Sequence, residues 1–258
     1  TRGYVKAIRS EVMNHPNLRD PLPGYYQPLY VQQDGTAPRM TLEDWFNYIL
    51  NEPALEMQFD NGIRDEGRVG FRLDDFLRDP IAAEAGLNHA HVLALRLYTT
   101  KAFRYINNPL RLGERHPMPA TVLFLQEALK KLRVNAADEL QGSTSLWRGF
   151  KDLEVEQEFL DQGGTELAPM STSTDLRTAA RYSCNGRNGE TALIMKLKID
   201  KNNFMSYGAG LKWLSAFPGE EERLFPPLTY LRPTTDRVTR ETVDGVNFTI
   251  MEVVPQLN

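Results

Sequence analysis

Apolar residues recur along this chain in two rhythms, helical in the first half and strand-like in the second. Thr41 opens the first clear helix: it suits a cap, Asp44 follows three residues on, and Leu42, Trp45, Phe46, Ile49 and Leu50 repeat at helical spacing. A short helical run near Leu73 to Leu77 leads to a longer helix expected over His91 to Asn107. Its face would carry Leu95, Tyr98, Ala102 and Tyr105 or Ile106, and Pro109 and Gly113 would end it. A third helix is expected over about Ala120 to Arg133, with Val122, Leu125, Leu129 and Leu132 on its apolar face. Lys130, Lys131 and Arg133 suit the negative end of its dipole. Residues 14 to 40, rich in Pro, Gly, Asn and Gln, hold neither period and read as irregular.

From residue 144 the period shortens to two. Strands are expected over Thr144 to Phe150, Ala168 to Thr174, Thr191 to Ile199, Glu221 to Phe225, Val238 to Val243 and Val246 to Val254. Asp244-Gly245 would form the hairpin turn between the last two. Over 191 to 199, Leu193, Met195, Leu197 and Ile199 point to one face, a core face, while Ile194, Lys196 and Lys198 point to the other, which is partly wet. Helices first and strands later predict an α+β fold with segregated layers rather than a doubly wound dinucleotide fold. Gly208-Ala209-Gly210 lacks the spacing of a dinucleotide fingerprint and reads as a flexible loop.

Composition narrows the function. The 258 residues, 41% hydrophobic, can fill an ordinary core, and a formal charge of -4 argues against general affinity for nucleic acid or anionic lipid. A single cysteine, Cys184, excludes an intrachain disulfide framework and reads as a buried thiol without chemistry. No apolar stretch reaches the roughly 20 residues of a membrane span, and no signal-like segment opens the chain, so a cytoplasmic location is expected. Because it begins at Thr1, the chain reads as a processed product or a part of a longer protein. No metal site is expected: His89 and His91 would diverge on a helix, and His15 and His116 lack nearby ligands. Asn247-Phe248-Thr249 is a glycosylation triplet, of interest only in a secreted chain, and it falls in an expected strand.

Three places on the strands could carry chemistry. Leu146-Trp147-Arg148-Gly149 puts an arginine in an apolar strand, beside a glycine that would let a ligand approach the backbone. Taken alone, Arg148 is as readily an edge-strand residue whose head reaches water. Met170-Ser171-Thr172-Ser173-Thr174 could offer hydroxyls from Ser171 and Ser173 to a carboxylate on a neighbouring strand, although Thr174 or Asp175 would equally serve as a helix cap. In Phe217-Pro218-Gly219-Glu220-Glu221-Glu222-Arg223, extended geometry would put Glu220 and Glu222 on one face with α-carbons about 6.5 to 7 Å apart. Their repulsion needs a cation, a donor or a substrate charge to offset it, unless the triplet is a solvated acidic turn.

In combination, the Arg148 strand, the Ser171-Thr172-Ser173 strand and the Glu220-x-Glu222 turn resemble the motifs of NAD-dependent arginine mono-ADP-ribosyltransferases of the R-S-E class. The stretch SAFPGEEERLFPPL is especially similar to the family's third motif, and LRLYTTKAFRYINNPLR resembles its preceding helix. The resemblance covers about residues 88 to 258, and Arg148 disfavours the related class with histidine in the first motif. Arg223 departs from the apolar residue common at that position.

The resemblance implies a split β-sandwich core preceded by helices, with 1–85 an N-terminal extension and 86–258 the catalytic domain. It implies NAD⁺ as substrate rather than cofactor, and a target protein bearing an acceptor arginine as partner. Glu222 would stabilise the developing ribosyl cation and Ser171 would hold it. Arg148 would pair with NAD⁺ phosphate or ribose oxygens, and Gly149 would expose backbone groups to the carboxamide. Thr172, Ser173, Tyr182 and Asn185 would complete the NAD⁺ contacts. Glu220 would orient and deprotonate the arginine, and Phe217 would touch the acceptor protein unless it simply packs. Hydrolysis by an NAD glycohydrolase, a glycoside hydrolase using the paired carboxylates, and a non-catalytic interaction domain are the alternatives.

Overall fold

The computed structural model describes residues 2–18, 41–50, 57–59, 62–134, 145–150, 155–183, 192–200, 206–234, 238–243 and 246–257. Packing divides the chain into two units: Thr1–Lys131 with Lys212–Gly219, and Leu132–Leu211 with Glu220–Asn258. This division by packing differs from the functional one drawn at residue 86, because the helix His89–Tyr98 packs with helices of the first 85 residues.

The first unit is built around α5 (His89–Tyr98), every residue of which from Ala90 onward is buried. A helix buried all round must be wrapped, and α1 (Arg2–Met13), α2 (Leu42–Leu50), α3 (Leu73–Arg78) and α6 (Phe103–Leu112) all pack against it. The hairpin β1 (Met57–Phe59) and β2 (Gly62–Arg64), α4 (Pro80–Glu84) and α7 (Pro119–Arg133) complete the helical part. The expected cap at Thr41 forms as a reciprocal box: the Asp44 amide donates to Thr41 Oγ1 at 3.1 Å, and the Thr41 amide to Asp44 Oδ2 at 2.9 Å. At the start of α7, the amides of Ala120 and Thr121 donate to the Glu11 carboxylate at 2.6 and 2.9 Å, a cap supplied from α1.

Two helical expectations need correction. The helix expected over His91 to Asn107 is two helices, α5 and α6. Thr99 and Thr100 turn their hydroxyls onto the carbonyls of Arg96 and Leu97 at 2.9 and 2.6 Å, and Thr100 Oγ1 then accepts from the Ala102 amide at 3.2 Å. Such side-chain bonds compete with the helical ladder and end it. Pro109 lies inside α6 rather than ending it, while Gly113 does close it, in the left-handed region at φ 65°. Helix α1 was not foreseen, although Ile8 and Val12, four residues apart, are both fully buried.

Among the described residues, the second unit holds a mixed nine-stranded sheet in the order β4-β9-β11-β6-β3-β5-β8-β7, with β10 also on β11. Its strands are β3 (Ser145–Phe150), β4 (Gly164–Glu166), β5 (Met170–Ser173), β6 (Ala192–Lys198), β7 (Ala209–Gly210), β8 (Glu222–Phe225), β9 (Thr229–Pro233), β10 (Thr239–Val243) and β11 (Val246–Leu257). Among the described residues, only β11 and β6 run parallel. The sheet nearly parts between β3 and β5, which meet through the single pair Trp147 and Ser173. This is the split expected of the core.

One face of β6, carrying Leu193, Met195 and Leu197, packs with Leu146, Met170, Phe225, Met251 and Val253, and α8 (Gln157–Gln162) adds Phe159 and Leu160. On the other face Ile194 lies under Ala179 and Ala180 of α9 (Leu176–Ser183), whereas Lys196 and Lys198 reach Glu252 at 3.4 and 2.8 Å. The alternation expected for this strand therefore holds. Gly208-Ala209-Gly210 is not a loop: Ala209 and Gly210 pair with Leu224 and Arg223 as the edge strand β7. Short β4, β7 and β9 carry too few residues to show a period. The Asp244-Gly245 turn and Cys184 lie outside the described residues. Among the described residues, no helix is long and apolar enough to cross a membrane.

Candidate active site

Arg148 sits in the middle of β3, which is bounded by β6 and β5, so it is not an edge-strand residue. Its side chain is 14% exposed. Nη1 donates to the Ser171 carbonyl and Nη2 to Glu166 Oε2, each at 3.1 Å, and the guanidinium lies 4.9 Å from the centre of the Phe150 ring. Burial of the charge is thus offset by a carboxylate, a carbonyl and an aromatic face. Glu166, at the end of β4, was not singled out from the sequence. It stands 18 positions away on a three-residue strand, and nothing local marks it.

Gly149 points to the opposite face, where α9 crosses. A Cβ there would stand 2.0 Å from the Ala179 carbonyl oxygen and 2.9 Å from Ser183 Oγ. The glycine is therefore required by close strand–helix packing, whatever else approaches its backbone.

Strand β5 alternates its hydroxyls. Thr172 turns away from Ser171, is 3% exposed, and gives its hydroxyl to the Arg223 carbonyl at 2.8 Å. The period-two alternation thus turns Thr172 to the face opposite Ser171 and Ser173. Ser173 donates to the Glu220 carbonyl at 2.8 Å and accepts from the Asp175 amide at 3.0 Å. Asp175 then caps α9, accepting from the amides of Arg177 and Thr178 at 3.0 and 3.3 Å.

Ser171 reaches across to β8. Its hydroxyl hydrogen-bonds the Glu222 carboxylate, while its carbonyl holds Arg148, so this one residue links the other two. Glu222 is 8% exposed. Burial is the main reason that its pKa rises from 4.5 to about 7. The Ser171 hydrogen bond opposes that rise, and the nearby Glu220 charge adds to it. A carboxyl group so held is poised between its two charge states at neutral pH.

The path into Glu222 differs from an extended strand. Pro218–Glu220 forms a single 3-10 turn, Glu221 has φ 48°, and β8 starts only at Glu222. Glu220 and Glu222 are therefore not related by strand alternation, though their charges still interact. Glu221 accepts from Thr174 Oγ1 at 2.8 Å, and Glu220 Oε1 accepts from the Tyr182 hydroxyl at 2.5 Å. Tyr182, 49% exposed, is thus at the site but on Glu220. Arg223 takes the alternate face, where Nε and Nη2 donate to the Gly208 carbonyl at 3.0 and 2.7 Å. That explains how an arginine is accommodated beside Glu222: it serves the edge strand.

Two further residues were expected at the site. Phe217, expected either to pack or to touch the acceptor protein, is 2% exposed and packs. Asn185 lies outside the described residues.

A family profile described as NAD:arginine ADP-ribosyltransferase matches residues 66–245. No curated protein matches the chain in sequence. Among solved structures, the chain is similar to the ADP-ribosyltransferase HopU1 of Pseudomonas syringae pv. Tomato, with 18% identity, a TM-score of 0.50, and coverage of 81% of this chain and 94% of that one. It is also similar to the C3 exoenzyme of Clostridium limosum, with 17% identity, a TM-score of 0.45, and coverage of 70% and 94%. With its motif residues joined through Ser171 and well over half of its length matched, this chain belongs to the NAD:arginine ADP-ribosyltransferase family and is an NAD-dependent ADP-ribosyltransferase.

Proposed function

We propose that the acceptor is an arginine side chain of a target protein and that the site described above performs the transfer. The observation that carries this reading is the line Arg148–Ser171–Glu222, with a second carboxylate, Glu220, close enough to raise the Glu222 pKa. In NAD⁺ the bond between ribose C1 and the nicotinamide nitrogen breaks, and the electron pair leaves with neutral nicotinamide. The ribosyl carbon becomes cationic, and ionised Glu222 stabilises it. Arg148 holds phosphate or ribose oxygens, a task suited to a planar fork. The guanidinium nitrogen then bonds to C1 and gives up a proton, for which Glu220 is the acceptor. Ser171 positions Glu222. Gly149 and Ser173 line the nicotinamide end, and Tyr182 acts through Glu220. In this reading 86–258 hold the catalytic machinery and 1–85 form an extension.

A second reading, NAD glycohydrolysis, is favoured by the bond from Tyr182 to Glu220, which engages the acceptor carboxylate within the chain. Incubation with NAD⁺ and agmatine, following nicotinamide and the agmatine adduct together, separates the two. An adduct that is absent with Glu222→Gln supports arginine transfer. Nicotinamide release without an adduct supports hydrolysis.

A further inference from the structure

The turn that leads into Glu220 is held by charged side chains far away in sequence. Arg96 and Asp65 are both fully buried; both Nη atoms of Arg96 donate to Asp65 Oδ1 at 3.1 Å, and Nη1 also donates to the Leu214 carbonyl at 2.9 Å. The Asp65 amide donates to the Ala216 carbonyl at 2.7 Å, and the Ala216 amide donates to Thr99 Oγ1 at 3.1 Å. Arg68 Nη2 donates to the Lys212 carbonyl at 2.5 Å. The turn's polar backbone is thus held at three residues, 212, 214 and 216, by partners that lie outside the three strand motifs.

Burying such an ion pair is costly, and well-packed apolar side chains would often stabilise a fold as well. What the pair adds is direction. Arg96, with its ring-face contact to Phe76 at 5.0 Å, presents a fixed fork to one carbonyl. Asp65, at φ 54°, points its own amide at another. From Ala216 to Glu220 there are only four residues of chain, a tether of at most about 14 Å. Where Ala216 is fixed, the range open to Glu220 is short.

The geometry points to Asp65 and Arg96, with Thr99 and Arg68, as positioning residues that fix the turn 212–219 and thereby decide whether Glu220 receives a guanidinium or water completes the reaction. This rests on the reading of Glu220 as the acceptor carboxylate. None of the four touches NAD⁺ chemistry, so they govern the partition between transfer and hydrolysis rather than cleavage itself. Small displacements of a reacting group lower rates steeply, so the partition is a sensitive readout.

The test uses the full chain with NAD⁺ and agmatine, together with hydrogen–deuterium exchange over 211–219. Thr99→Val and Arg68→Gln each remove one anchor without stranding a buried charge, and Asp65→Asn removes the centre of the anchor. The expected result is an adduct-to-ADP-ribose ratio about tenfold lower in the variants, through kcat for agmatine, with nicotinamide release near wild type and faster exchange at 213–217. If Asp65→Asn does not fold, the two milder variants decide. An unchanged ratio in folded variants of an active wild type overturns the inference. Should the wild type itself form no adduct, the arginine reading fails instead, and unchanged exchange in the variants would then overturn the anchoring by itself.

Discussion

Ser171 hydrogen-bonds the Glu222 carboxylate even though the residue directly opposite Glu222 in the β5–β8 ladder is Ser173. The bond is diagonal. It leaves Ser173 to hold the Glu220 carbonyl, so the two serines of β5 secure Glu222 at the head of β8 and Glu220 in the turn before it by different atoms. Diagonal neighbours on a sheet face are within reach of each other's side chains, and a period-two strand offers both serines to the same side.

Division of labour between the glutamates is the first expectation. Glu222→Gln should abolish nicotinamide release and transfer alike, by about a hundredfold or more for loss of a charge at the reacting centre. Glu220→Gln should lose the agmatine adduct and keep much of the NAD⁺ cleavage. Equal loss of both products in both variants would remove the distinction.

The pH dependence of hydrolysis should report Glu222. Only its ionised form stabilises a cation, so kcat/KM for NAD⁺ should rise with pH around a midpoint near 7. Because the Glu220 charge contributes to the high value, Glu220→Gln should move that midpoint down. A midpoint unchanged in the variant contradicts this electrostatic account.

Stability should carry the same signature with the sign reversed. The folded chain holds the Glu222 proton up to about pH 7, whereas unfolded glutamate releases it near 4.5. Folding is therefore unpenalised below pH 4.5, loses stability as pH rises towards 7, and above that bears a cost of about 3 kcal/mol. Thermal unfolding of Glu222→Gln should accordingly show a higher Tm than wild type at pH 8, and no such gain at pH 4.5.

Arg148 and Glu166 should separate by strength. Arg148→Lys keeps the charge and loses the fork, so KM for NAD⁺ should rise about tenfold or more. Glu166→Gln keeps a hydrogen-bond acceptor for Nη2 and should raise KM only by about threefold. Steady-state kinetics with NAD⁺ alone measure both, and a larger effect from Glu166→Gln would argue that the pair acts chiefly in folding.

Gly149→Ala places a Cβ 2.0 Å from the Ala179 carbonyl and should destabilise the chain by about 2 kcal/mol or more. Urea unfolding reads this directly. A variant as stable as wild type would show that α9 yields easily at this point.

Local rules made much of this protein legible in its sequence. Period and capping marked α2, α3, α7 and the longer strands, because each signal lies within a few residues of the structure it specifies. The three motif segments were legible for the same reason: their residue types stand together in short runs. What sequence could not order was decided by contacts at long separation. The pairing of Arg148 with Glu166, the cap that Glu11 supplies to α7, and the hold of Asp65, Arg96 and Thr99 on the turn at 212–216 all join distant residues.

Where a local rule met a tertiary demand, the tertiary demand prevailed. An extended run was expected through Glu220 and Glu222, but Glu221 turns at φ 48° as the chain passes from the anchored turn into β8. A flexible loop was expected at 208–210, but edge pairing with β8 and the Arg223 side chain make it a strand. The sequence by itself determined which side chains could do the chemistry, since charge, hydroxyl and glycine are properties of residues. Their distances, their burial and the raised pKa of Glu222 were decided by the tertiary structure, since desolvation and coulombic coupling depend on what the rest of the chain places around a group.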